Sequence, residues 1–137
     1  SVCLAYQPAW SSAGLIAFMG FTASGVCLGS GTTYEFSIYT MKPDGTEFNR
    51  LTSGSTQTAQ PAWSPDGTRL AFVSNGSGIS VMDASGGGQA SIRSTGSYPS
   101  WSPDGTQITF NEAGAVMVMN ADGSGAHQVA TGGNPAW

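Results

Sequence analysis

Apolar residues in this chain fall in short runs, and polar turn residues separate them. Leu70-Ala71-Phe72-Val73 follows the phrase Ser64-Pro65-Asp66-Gly67, and Ile108-Thr109-Phe110 follows Ser102-Pro103-Asp104-Gly105. Runs of this kind, rich in β-branched and aromatic residues and bounded by Gly, Pro, Asp and Ser, predict strands. No stretch of useful length carries the periodicity of an amphipathic helix.

The pattern repeats along the chain. All four tryptophans close the same phrase: Pro8-Ala9-Trp10, Pro61-Ala62-Trp63, Pro99-Ser100-Trp101 and Pro135-Ala136-Trp137. The tryptophans stand 53, 38 and 36 residues apart. Self-similarity at such a period means stacked supersecondary units. Aligning on the tryptophans puts Phe18, Phe72 and Phe110 in one column. Ile38-Tyr39-Thr40-Met41, Ile79-Ser80-Val81-Met82 and Val116-Met117-Val118-Met119 then match without gaps, which makes Met41, Met82 and Met119 a column. Gly45, Gly86 and Gly123 follow at equal spacing, and Leu51, Ile92 and Val129 follow those glycines at equal spacing.

Each unit therefore holds four short strands. The turns between them have a mechanism. Proline presets φ for the first central position, aspartate suits the second, and glycine accepts the left-handed conformation that closes the hairpin. Lys42-Pro43-Asp44-Gly45 and Asn120-Ala121-Asp122-Gly123 repeat that chemistry later in the unit. Four antiparallel strands per unit at this period is the signature of a β-propeller blade. A single small sheet cannot bury both faces and must stack on its neighbours. Each tryptophan supplies about 150–250 Å² for that packing. The expected fold is all-β: a propeller segment of three four-stranded antiparallel blades with partial blades at both termini.

The expected boundaries follow from the columns. Blade 1 covers 8–60, with an insertion at about 20–35 where the other units have a tight hairpin; blade 2 covers 61–98 and blade 3 covers 99–134. Val2 precedes Pro8 by the same six residues that separate Val129 from Pro135. Residues 1–7 are thus expected as the terminal strand of an incomplete blade, and residues 135–137 as the first strand of a further one. Val2, Leu4, Pro135 and Trp137 become candidate assembly strands, since unpaired strand edges invite association.

The phrase P-x-W-S-P-D-G-T-x-[IL]-x-F, paired with a later [IV]-x-x-M-x-x-[DS]-G, resembles the TolB-type propeller repeat over nearly the whole chain. Repeat one departs from it, with Ser11-Ser12-Ala13-Gly14 in place of the Ser-Pro-Asp-Gly phrase. The resemblance implies six or so blades in a closed ring, commonly periplasmic or secreted, used for protein–protein contact. Similar blades also serve as the non-catalytic lid of prolyl-oligopeptidase-like hydrolases; no hydrolase domain accompanies the blades in these residues.

Composition narrows the function classes. Charged residues make up 9% of the 137, and the net charge is −4 with four basic residues. No basic cluster exists to hold phosphates, so nucleic acid is not an expected partner. No apolar run has spanning length, so no membrane span is expected. Low charge with Gly, Ser and Thr richness points to an extracellular or periplasmic setting. Cys3 and Cys27 are a possible disulfide or two buried thiols.

No catalytic or metal-binding constellation stands out. His127 is the single histidine and aligns with Asn49 and Ala90, outside any repeated column. Gly25-Val26-Cys27-Leu28-Gly29 imitates a nucleophile elbow, but that motif needs a strand-to-helix turn. Asp44, Asp66, Asp104 and Asp122 are explained by turn chemistry. Asn120, Asp122 and Gly123 resemble part of a calcium loop whose closing glutamate is missing. Asn75-Gly76-Ser77 is formally a glycosylation acceptor and also a turn dipeptide. The expectation is a non-enzymatic scaffold without cofactor. It associates through its open ends as a closed two-chain propeller or a head-to-tail filament. A binding module for a protein or peptide ligand and a fragment of a larger propeller are the alternatives.

Overall fold

The computed structural model describes residues 2–23, 34–53 and 57–137, with residues 2–4, 22–23 and 34 described as backbone. Among them are twelve strands and no helix. Sheet one contains β1 (Val2–Trp10), β2 (Ile16–Ala23), β3 (Tyr34–Met41) and β4 (Asn49–Arg50). Sheet two contains β5 (Ala59–Trp63), β6 (Arg69–Val73), β7 (Ile79–Asp83) and β8 (Ala90–Arg93). Sheet three contains β9 (Ser97–Trp101), β10 (Gln107–Glu112), β11 (Ala115–Asn120) and β12 (His127–Thr131). Each is an antiparallel meander in chain order, so each sheet is one blade.

Strand alternation gives every blade two apolar faces. In blade 2, Leu70, Phe72 and Met82 face blade 1, where Ala17 and Ile38 meet them together with Trp63. Ala71, Val73, Ile79 and Val81 point the other way, onto Trp101, Ile108, Phe110 and Met119 of blade 3. We call the face toward the preceding blade the front and the opposite face the back. Both faces of the central blade are buried, which is why its strands read as near-continuous apolar runs.

The two ends depart from the sequence expectation. Residues 1–7 are not a separate strand of a preceding blade: Val2–Trp10 is one strand, and Val2, Leu4, Ala5 and Tyr6 pair with Thr22, Phe21, Gly20 and Met19. The reason lies in the insertion, which lets β2 run to Ala23 and gives the first residues a ladder inside their own blade. Residues 135–137 form no strand. The Trp137 N–H instead approaches Ser100 Oγ at 3.5 Å. Cys27 and most of the 20–35 insertion fall outside the described residues; Cys3 sits in β1.

Candidate functional site: the seams between blades

Each inner strand carries a bulge just before its tryptophan phrase. Proline has no N–H for the ladder, and the residue before it takes a left-handed conformation: Gln7 at φ 54, Gln60 at φ 54 and Tyr98 at φ 53. Register shifts mark the same places. A left-handed non-glycine residue costs about 1–2 kcal/mol. A bond across the seam offsets it. The Gln60 N–H donates to Gln7 Oε1 at 2.8 Å, and the Tyr98 N–H donates to Gln60 Oε1 at 2.6 Å. The glutamine side chains thus run from blade to blade. Gln7-Pro8 and Gln60-Pro61 hold that signal in the sequence; only the bulge geometry gives it meaning.

The tryptophans complete the seam. Trp63 Nε1–H donates to the Ala9 carbonyl at 3.1 Å, and Trp101 Nε1–H donates to the Ala62 carbonyl, also at 3.1 Å. The Arg69 guanidinium lies 5.4 Å from the Trp101 ring centre, a cation–π contact across the same seam. Arg93 pairs with Glu112 of the next blade at 2.6 Å and lies over the Phe110 ring. That pairing, with a further bond from Thr95, holds the Glu112 carboxyl below the usual range.

Glycines mark where the seams are tightest. A Cβ on Gly86 would lie 2.9 Å from the Leu51 carbonyl oxygen, and one on Gly123 would lie 2.3 Å from the Ile92 carbonyl oxygen. Both glycines have φ +88. The Gly45/Gly86/Gly123 column is therefore a close-approach column as well as a turn column.

The turn aspartates are internally committed. Asp66 Oδ1 accepts from Ser64 Oγ (2.6 Å), the Thr68 N–H (3.0 Å) and the Thr68 hydroxyl (2.8 Å). Asp104 repeats the set with Ser102 and Thr106. Those bonds, the serine hydroxyl foremost, bring both carboxyls down to about 2. Asp44 and Asp122 are lowered in the same sense by Thr46 and Ser124. Blade 1 closes its shorter first turn through Ser11, whose Oγ accepts from the Leu15 N–H at 2.9 Å.

The sequence-marked columns divide by position in the stack. Phe18, Phe72 and Phe110 are buried; Met82 and Met119 are buried and Met41 is half-buried. Trp63 and Trp101 are 8% and 6% exposed, but Trp10 is 64% and Trp137 is 54% exposed. The packing expected of all four tryptophans is thus made by two. Trp10 stands on the front of blade 1, against which no blade packs among the described residues. That front is covered in part by Phe48, whose ring lies 5.8 Å from Phe18 and 5.2 Å from Tyr39. The Tyr39 hydroxyl is buried with no hydrogen-bond partner among the described residues.

The chemical candidates are scattered. His127 is exposed on β12 with Nδ1 2.9 Å from the Gly125 carbonyl oxygen. Among the described residues no three His, Cys, Asp or Glu side chains gather as a metal site would need. A cleft of about 790 Å³ opens between blades 2 and 3, lined by Thr95, Asn111, Glu112 and Gln128 among others.

The family model described as TolB beta propeller domain matches residues 7–136. The chain belongs to that family. No relative among the curated proteins matches it by sequence. Among solved structures it is similar to a putative TolB from Agrobacterium tumefaciens, with TM-score 0.77 and 23% identity over 98% of this chain and 53% of that one. TolB from Acinetobacter baumannii gives 0.68 and 20% over 91% and 32%. The Pyrococcus horikoshii acylaminoacyl peptidase gives 0.65 and 18% over 93% and 25%. The TolB-like chain therefore spans about half, or less, of these structures, and the likeness is one of fold.

Proposed function

We propose that this chain is a non-enzymatic TolB-like scaffold for protein association, working through the open front of blade 1 and the open back of blade 3. One observation carries the reading: of the three tryptophans that lie in strands, Trp63 and Trp101 are 8% and 6% exposed against a preceding blade, and Trp10 is 64% exposed with none before it among the described residues. The front of blade 1 is built as a seam whose other half is not among the described residues. A large exposed aromatic beside a second one, Phe48 at 48%, marks an interaction surface rather than ordinary surface. The low charge of the chain supports an extracellular or periplasmic setting.

A second reading is favoured by the partial coverage of the solved relatives, a peptidase among them. On that reading these blades are part of a larger propeller, and the missing half-seam is supplied in the same polypeptide. Light scattering and electron microscopy of the purified chain at micromolar concentration separate the two. Particles heavier than one chain support association of the chain itself. A stable one-chain mass overturns it in favour of the larger propeller.

A further inference from the structure

The two seams inside the chain define what a front face requires of the back face before it. The front supplies an indole N–H, and the back supplies the carbonyl of the residue before its own tryptophan, Ala9 or Ala62. The front supplies a left-handed glycine, and the back supplies the carbonyl of Leu51 or Ile92 over it. The front glycine of the first turn, Gly67 or Gly105, meets Ser12 or Pro65 of the preceding turn.

Blade 1 presents these front elements with no blade opposite among the described residues. Trp10 is 64% exposed. Gly45 at φ +81 and Gly14 at φ +78 have no atom within 4 Å of where a Cβ would stand. Blade 3 presents the carbonyl and turn elements of a back face in the matching columns, with Tyr98 in place of the glutamine that Gln7 and Gln60 supply. Ser100 stands where Ala9 and Ala62 stand, Val129 where Leu51 and Ile92 stand, and Pro103 where Pro65 stands. Val129 is 53% exposed. The Ser100 carbonyl, opposite Thr109 in the β9–β10 pairing, accepts the Thr109 hydroxyl at 3.3 Å, a contact an incoming indole N–H would displace.

We propose that the front of blade 1 seats the back of blade 3 of a second copy of this chain, twice over, in a closed two-chain ring, and that the Trp137 tail competes with the incoming Trp10 for the back of blade 3. The proposal rests on the association reading above. The tail carries the same three residues as the incoming segment, Pro135-Ala136-Trp137 against Pro8-Ala9-Trp10. It already touches the back of blade 3, with its backbone N–H 3.5 Å from Ser100 Oγ and the Gly133 carbonyl accepting from Asn111 Nδ2 at 2.7 Å, while the Trp137 ring stays 54% exposed. Closure by a two-fold axis needs the same pair of faces at both seams, which one chain carrying one front and one back provides.

The test is sedimentation equilibrium on the full chain and three variants. The wild type is expected to approach two-chain mass as concentration rises. Trp10→Ala is expected to weaken association about 30-fold or more, as loss of a central anchor does. Trp10→Phe, which keeps the ring but not the N–H, should fall between. Trp137→Ala is expected to tighten association about 3–10-fold by freeing the back of blade 3. Trp10 is exposed in the single chain, so at concentrations where the wild type is one chain its variants should keep the wild-type circular dichroism and urea midpoint. A dimer indifferent to Trp10→Ala overturns this seat and leaves the association reading standing. Species larger than two chains overturn the ring. A single-chain mass for every variant overturns both.

Discussion

Replacing Gly123 with alanine isolates the cost of pressing one blade onto another. Its φ of +88 strains any L-residue, and the added Cβ would lie 2.3 Å from the Ile92 carbonyl oxygen and 2.9 Å from Ile92 Cβ. Gly114→Ala is the control. Gly114 has φ +80 with nothing within 4 Å, so its variant bears the backbone strain alone, about 1 kcal/mol. Gly123→Ala bears that strain and must also push β12's blade away from β8, an overpacking of about 1–3 kcal/mol. The expected totals are about 1 kcal/mol for Gly114→Ala and about 2–4 for Gly123→Ala. Gly86→Ala, at 2.9 Å from the Leu51 carbonyl oxygen, should fall between. Urea unfolding reads these as midpoint shifts, with roughly 1 M separating the extremes for a slope of about 2 kcal/mol/M. Stacked repeats hold together through their interfaces, so Gly123→Ala should also broaden the transition as blade 3 uncouples. Equal midpoints for Gly123→Ala and Gly114→Ala would refute the idea that this glycine column exists for close approach.

Two further outcomes follow from the seams and the turns. Trp101→Phe keeps most of the ring's packing but removes its N–H bond to the Ala62 carbonyl and weakens the Arg69 contact; a loss of about 1–2 kcal/mol in urea unfolding is expected, and no loss would mean that bond is idle. Asp66 and Asp104 have folded-state pKa values of about 2, below the unfolded value near 3.8. Their contribution is therefore present above about pH 4 and is lost as pH falls toward 2. Asp66→Asn with Asp104→Asn should flatten the urea midpoint over that window, and an unchanged acid slope would show that other groups carry it.

The sequence alone determined the blades. Strand runs, turn dipeptides and the tryptophan period are local signals, and a sheet that cannot bury its own faces has to stack, so the all-β propeller class and its columns were legible without coordinates. Tertiary structure decided what the columns do. Trp10 and Trp63 stand in one phrase, yet one is bare and the other buried, because burial depends on the neighbouring sheet and not on the phrase. Gly86 and Gly123 look like ordinary turn glycines until the preceding blade's carbonyl arrives beside them. The first seven residues copy the spacing of a closing strand, but the lengthened β2 offered them a nearer ladder, and backbone groups pair with what is within reach. Local chemistry fixed each element; the seams between elements came from contacts across dozens of residues, which no short window of sequence contains.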